Sequence, residues 1–301
     1  MTSSPASSPR AVLHEMGIEP TRVRLIKRGV NTHWLADTAD GRIVLRRYAS
    51  RVSRQSVDFE LRVMEFLAGR GWPVPAAVAP MVEADGCLWC ACRYLPGRVF
   101  VPGTTSSVLA EQRRRGRMLA RLHADLVELR SEHQRAGRVR ADQGLFDRSG
   151  QPPADVVLRK YEARFPETGH ILRTHLERVR AQFTELLPDA AEPVVIHGDV
   201  VPWNIKYQAG KLSGLLDFEL THLDLRVADF ALSWRGRYDE VIRGYEEVSP
   251  LEPVERALIV PVYQSWQLAC AVAVIEQGSD DIEWELRHLL RRDSQLFAAY
   301  G

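Results

Sequence analysis

The stretch from Val194 to Glu219, VVIHGDVVPWNIKYQAGKLSGLLDFE, constrains this chain more than any other part of it. An apolar run of Val194, Val195 and Ile196 passes into His197, Gly198 and Asp199. Asn204 stands five residues after that aspartate, and after Gln208-Ala209-Gly210 a second apolar run ends on Asp217. The pattern reads as strand, loop, strand, loop, with an acid or an amide at each strand exit, a common way to hold chemistry at the edge of a rigid core. Asn204 and Asp217 offer the hard oxygens that magnesium takes beside nucleotide phosphates, which leaves Asp199 to act on a hydroxyl.

Composition narrows the partners. The 301 residues carry 40 Lys and Arg against 39 Asp and Glu, a net charge of +1. A dedicated nucleic-acid binder would be strongly basic, so the expected partner is a small molecule. The Ser/Pro-rich start, MTSSPASSPR, has no apolar h-region and reads as a disordered tail over residues 1–10, which points to the cytoplasm. Cys87, Cys90 and Cys92 crowd together as CLWCAC without a second cysteine pair, and alternation along a buried strand accounts for them better than zinc. Ala257 to Ile275 is free of charge and imitates a membrane span, but Gln264, Ser265 and Gln267 at its middle and Pro261 point to a buried core helix. No membrane or nucleic-acid partner is expected.

HGDVVPWN matches the HGDxxxxN signature, and LLDFELTHLDLRVADFA resembles the downstream acidic signature, of the aminoglycoside phosphotransferase and choline kinase family. The resemblance implies an α+β, bilobal, protein-kinase-like fold. It implies a small antiparallel-sheet lobe with one helix over residues 11–94 and a larger, mainly helical catalytic and acceptor-binding lobe over 95–301. It makes Asp199 the catalytic base and Asn204 with Asp217 the magnesium ligands. His197 and Asp229 become braces of the catalytic loop.

The N-terminal third carries the nucleotide side of the same resemblance. Val23 to Ile26 starts a strand, Gly29, Val30 and Asn31 form the turn expected over the phosphates, and Asp40-Gly41 marks a hairpin. The returning strand has no lysine where the family carries one; Arg46 stands there, on a face with Val44, while Arg47 points the other way and takes its place if the strand register flips. Ser53 to Gly69 is an amphipathic helix on which the resemblance expects the acidic partner of Arg46, Glu60 with Glu65 as the alternative. Arg93 and Tyr94 begin a hinge ending at Gly97, where the adenine edge is expected. A long helix from Ser107 to Arg130 follows, with the run Arg113-Arg114-Arg115 on its solvated face and His123 buried as a structural residue, then a loop from Arg130 to Asp142.

The expected activity is an ATP- or GTP-dependent phosphotransfer, with Mg2+, to a hydroxyl of a small molecule. An antibiotic is placed first, with Trp203, Glu219 and Trp266 on the acceptor side. The alternatives are a metabolic kinase for homoserine, choline, a sugar or a nucleoside, or a nucleotide-binding module that has lost catalysis along with the strand lysine. A monomer or a homodimer suits all of these.

Overall fold

The structure is a computed structural model that describes residues 8–129, 152–190 and 192–301. Helix α1 (Pro9–Glu15) leads into β1 (Pro20–Arg28), β2 (Thr32–Thr38), β3 (Gly41–Arg47), α2 (Arg54–Gly69), β4 (Val82–Ala84), β5 (Cys87–Arg93) and β6 (Arg98–Val99). Then come α3 (Thr105–Leu126), α4 (Ala154–Glu162), α5 (Pro166–Leu186), β7 (Val194–Ile196), β8 (Ile205–Gln208), β9 (Lys211–Leu215) and β10 (His222–Asp224). The chain closes with α6 (Phe230–Ser233), α7 (Glu240–Glu246), α8 (Pro253–Glu276), α9 (Glu283–Leu289) and α10 (Leu296–Tyr300). Of the described residues, those through Phe100 together with Trp203–Glu219 form one compact unit, and the remainder form a second.

The first unit is built on an antiparallel sheet of order β1-β2-β3-β5-β4. Alternation along β5 divides its side chains between two apolar clusters. Trp89 and Ala91 pack with Leu45 and with Val12 and Leu13 of α1, and Cys87 joins them. Leu88, Cys90 and Cys92 pack with Tyr48 and with Val57 and Leu61 of α2. Cys87 therefore lies on the opposite face from Cys90 and Cys92, as a period of two requires. Helix α2 starts where the Ser53 hydroxyl accepts the Ser56 amide at 3.2 Å. The expected tail is shorter than residues 1–10, because Ser8 caps α1 by accepting from the Ala11 amide at 3.1 Å and Pro9 fits the first turn; residues 1–7 lie outside the described part.

The expected boundary after Tyr94 gives way to a different grouping. Strand β6 pairs with β8, Arg98 opposite Tyr207, so the β8–β9 hairpin with Asn204 and Asp217 belongs to the first unit and not to the helical one. Gly97 makes that approach possible: at φ +108° it sits where a Cβ would fall 2.8 Å from the Tyr207 carbonyl oxygen.

In the second unit, α3 and α7 pack together, and α8 lies against α4, α5 and α9. Helix α8 has a mean hydropathy of 1.6 over its most apolar window, of which 67% is buried. It is a core helix; Gln264, Ser265 and Gln267 are buried along it. Among the described residues, no group hydrogen-bonds the Gln264 amide or the Ser265 hydroxyl. Helix α3 ends at Leu126, short of Arg130, and the loop expected from Arg130 to Asp142 lies outside the described residues. The arginine run on α3 is not uniformly solvated. Arg113 reaches Glu240 and Glu247 at the surface, but Arg115 is buried, bonded to Glu111 at 3.0 and 3.1 Å and to the Ser233 hydroxyl at 2.9 Å. A buried ion pair is destabilising to break because the surviving charge is left unsolvated. Arg115→Ala is expected to lower the unfolding free energy by about 3–5 kcal/mol in urea titrations, whereas Arg114→Ala should change it by less than about 0.5 kcal/mol.

Candidate active site

In the first unit a cavity of about 320 Å³ opens beside β3. Its apolar walls include Val44, Met64, Leu95 and Leu216. Its polar groups include Arg46, Glu60, His33, Lys27, Asn204, Asp217 and Lys206, whose Nζ donates to the Leu95 carbonyl at 2.9 Å, and Arg93 and Tyr94 line the β5 side. Apolar walls with a few convergent polar groups are the usual makeup of a small-ligand site.

Arg46 lies opposite His33 on β2 and Cys90 on β5. Its Nη1 donates to Glu60 Oε1 and its Nη2 to Glu219 Oε2, each at 2.7 Å. Burial works against the charge, yet Glu60, Tyr48, Glu219 and Asp217 together hold the guanidinium above its ordinary pKa. Arg47 faces the other way, 5.9 and 5.6 Å from the ring centroids of Trp34 and Trp89.

Three sequence assignments move. Gly29, Val30 and Asn31 form the β1–β2 turn, but β1 contributes Ile26 and Lys27 to the cavity. Val30 points to solvent, and Asn31 is a brace, its amide donating to Glu219 while its carbonyl accepts the Ala49 amide at 3.0 Å. Glu219, expected at the acceptor, accepts from Arg46 and Asn31. Trp203 lines this same cavity, and Trp266 is half-buried on α8 in the second unit.

Asn204 and Asp217 come together through the hairpin ladder. Ile205 faces Leu215, and one step on the Leu216 amide donates to the Asn204 carbonyl at 2.8 Å, which puts both side chains on the cavity wall. Asp217 sits at φ +69°, a left-handed conformation that costs an aspartate about 1–3 kcal/mol. An amide oxygen and a carboxylate on adjoining strand ends form a hard-oxygen donor set that fits magnesium shared with phosphate oxygens.

The second unit carries Asp199. Strand β7 pairs antiparallel with β10, Ile196 opposite His222, and the chain leaves β7 through His197. The His197 Nδ1 accepts the Asp199 amide at 3.1 Å. Asp229 is buried, and its carboxylate accepts the His197 and Gly198 amides at 3.0 and 2.6 Å. Its Oδ2 also lies 2.9 Å from His123 Nε2. An ionised carboxylate only accepts, so Nε2 donates to it, while Nδ1 lies 2.9 Å from the Tyr245 hydroxyl. Burial raises the Asp229 carboxyl, but His123, His197 and the Gly198 amide outweigh it and hold the group below the usual carboxylate range. At Gly198, φ is +82° and a Cβ would fall 2.3 Å from the Leu220 carbonyl oxygen, so no other residue fits.

Arg235 is a neighbour of Asp199 that the pattern of residues did not single out. Arg115 Nη1 approaches the Val200 carbonyl at 3.5 Å and also binds Ser233, which brings the turn after α6 to the Asp199 loop. In that turn Arg235 takes φ +55°, its Nε donates to the Leu232 carbonyl at 3.0 Å, and its own carbonyl accepts from Arg291 at 2.9 Å. Burial lowers the pKa of its guanidinium, and the Asp199 carboxylate pulls the other way. Lys27, His33 and Arg235 carried no sequence signal, since each depends on tertiary placement.

A sheet-based unit with a nucleotide-sized cavity and a helical unit with a braced aspartate define a protein-kinase-like α+β phosphotransferase. The phosphotransferase enzyme family matches residues 22–266, and the chain belongs to that family. It is 26% identical over 314 residues to the homoserine kinase of Phenylobacterium zucineum, covering 94% of this chain and 91% of that one. It is 30% identical over 252 residues to the homoserine kinase of Sinorhizobium medicae, covering 78% and 73%. Its fold matches spectinomycin phosphotransferase in complex with ADP and spectinomycin at a TM-score of 0.66 and 11% identity, over 100% of this chain and 99% of that one. The chain is thus a phosphotransferase that acts on the hydroxyl of a small molecule.

His33 supplies a pH test of the cavity. Burial first, then the Arg46 and Lys27 cations, push its imidazole down to about 4, against the pull of Asp217. The folded protein therefore binds fewer protons than the unfolded chain between pH 6.5 and about 4, and stability falls as pH drops through that window. His33→Gln should remove on the order of 1–2 kcal/mol of the loss between pH 7 and pH 5, allowing for its partial exposure, as read from urea midpoints.

Proposed function

We propose that the chain transfers the γ-phosphoryl group of ATP to the side-chain hydroxyl of a small amino acid of the homoserine class. The observation that carries the choice of acceptor is the similarity to homoserine kinases over 94% and 78% of this chain. Arg235, in the turn that Arg115 and Ser233 bring to the Asp199 loop, is the cation this reading assigns to the acceptor carboxylate. An amino acid presents a carboxylate that an arginine can take in a fork. An aminoglycoside presents several ammonium groups, which Arg235 would repel, so the antibiotic reading is the weaker one.

In this reading the first unit holds the nucleotide: Val44 and the Arg93–Tyr94 segment take the base, and Asn204 and Asp217 lie toward the phosphates. Magnesium, when bound, would be held by Asn204 and Asp217 and would neutralise phosphate charge. Asp199 takes the proton of the acceptor hydroxyl, and that oxygen attacks the γ-phosphorus. The bond to the β,γ-bridging oxygen breaks, and ADP leaves. The Asp229 and His197 hydrogen bonds hold the Asp199 backbone in place for proton transfer. Cytoplasmic localisation follows from the use of ATP and a metabolite.

ADP release measured with L-homoserine, choline, a 1,2-amino alcohol and an aminoglycoside tests the reading. L-homoserine should be preferred by at least about 100-fold in kcat/KM, since a site built for a charged group rejects acceptors that lack it; equal or better turnover of the aminoglycoside would refute the assignment. Asp199→Asn should reduce kcat by about 10²–10⁴-fold with little change in ATP affinity. Arg235→Gln should raise the KM for L-homoserine by about tenfold or more while leaving the KM for ATP unchanged.

A further inference from the structure

Strand β3 carries Arg46 where a phosphate-binding cation is expected, but that charge is already engaged. Glu60 and Glu219 each accept one of its terminal nitrogens at 2.7 Å, and Asp217 lies close enough to raise its pKa further. One guanidinium between two carboxylates is a net anionic cluster. It offers poor attraction to a triphosphate.

Lys206 also lines the cavity, but its Nζ is held by the Leu95 carbonyl at 2.9 Å, and the neighbouring edge of the sheet supplies another cation. In β1, Leu25 lies opposite Trp34 and Lys27 opposite His33, so Ile26 is an extra residue, a β-bulge. In a regular strand consecutive side chains point to opposite faces. Here Ile26 and Lys27, consecutive in sequence, line the same cavity as Arg46 and Asp217. Bulges re-aim side chains in this way, often beside active sites. Among the described residues no carboxylate pairs with Lys27. His33, directly opposite both Lys27 and Arg46, faces the same cavity and stays neutral at pH 7.

We propose that Lys27, turned into the cavity by the bulge at Ile26, is the cation that binds the nucleotide's phosphates, and that Arg46 is a positioning residue clamped between Glu60 and Glu219. A lysine suits the task, being a compact point charge on a flexible stem, whereas the planar fork of Arg46 suits two fixed carboxylates. The proposal rests on the reading of this cavity as the nucleotide site.

Calorimetric titration of the full chain with ATP, ADP and adenosine, in magnesium, tests it. Lys27→Met should weaken ATP and ADP at least about tenfold while leaving adenosine within about twofold, because only the phosphates lose a partner. Lys27→Arg should recover most of the ATP affinity. Lys27 is exposed, so these variants should melt like the wild type. ATP affinity unchanged in Lys27→Met overturns the proposal and leaves the nucleotide reading standing. Equal loss of ATP and adenosine also overturns it, since the effect would then be on the cavity and not on the phosphates. Failure of the unaltered protein to bind ATP or GTP overturns the nucleotide reading itself.

Discussion

The first unit depends on the guanidinium of Arg46 being shared between two carboxylates from distant parts of the chain. Glu60 comes from α2 and Glu219 from the turn after β9, 173 residues away along the sequence. A buried charge is tolerated only with its hydrogen bonds met, so this one contact fixes how α2 lies on the sheet and where the hairpin ends. Glu219 also receives Asn31, and Asn31 holds the Ala49 amide, so the β1–β2 turn and the exit of β3 join the same network. The Tyr48 ring, 4.5 Å from the guanidinium carbon, closes one side of it. A lysine could not hold two carboxylates in a planar fork. The arginine therefore marks a different local structure, not a conservative replacement of a lysine.

The second unit solves a related problem with a buried carboxylate. The loop after β7 must turn sharply enough to present Asp199, which leaves backbone amides in need of acceptors. Asp229 supplies them, one oxygen to each amide, and His123 Nε2 donates to Oδ2 beside the His197 amide. The left-handed Gly198 lets the turn pass under Leu220 without a clash. These contacts rigidify the backbone on either side of His197, so the position of Asp199 follows from groups that do not touch substrate.

Much of this was legible in the sequence wherever a local pattern encodes a local structure. The β8–β9 hairpin, the cap and apolar stripe of α2 and the buried His123 follow from spacing, since each depends on a period or on a short loop, while the placement of Glu60 comes with the family resemblance. The misreadings share a different cause. Arg115 reads as one of three solvated arginines, because only the packing of the turn after α6 buries it. The bond between Asn31 and Glu219 spans 188 positions, so no local pattern announces the bracing role of either residue. The bulge at Ile26 shifts register by one residue, and neither residue type nor alternation announces it. The hairpin's assignment to the first unit rests on a two-strand pairing with the short strand β6, too brief to show a period of its own.

Backbone strain separates structural turns from chemical ones. Among the described residues, Asp85, Ala209, Asp217 and Arg235 are the non-glycine residues with positive φ. Asp85 and Ala209 each precede a glycine that also has positive φ, in the two-residue turns of β4–β5 and β8–β9, where left-handed conformations match the strand twist. Asp217 and Arg235 lie in no such hairpin; Arg235 shares its left-handed turn with Gly236, at φ +63°, whereas no glycine follows Asp217. Strain of this kind, about 1–3 kcal/mol each, persists where the surroundings over-determine the residue. At Asp217 the constraint is the cavity wall shared with Asn204; at Arg235 it is the Arg291 bond to its carbonyl beside Asp199. The two strained residues are thus the proposed metal ligand of one unit and the proposed acceptor-binding cation of the other. Relaxing either backbone would swing its charge away from the position on which the proposed chemistry depends.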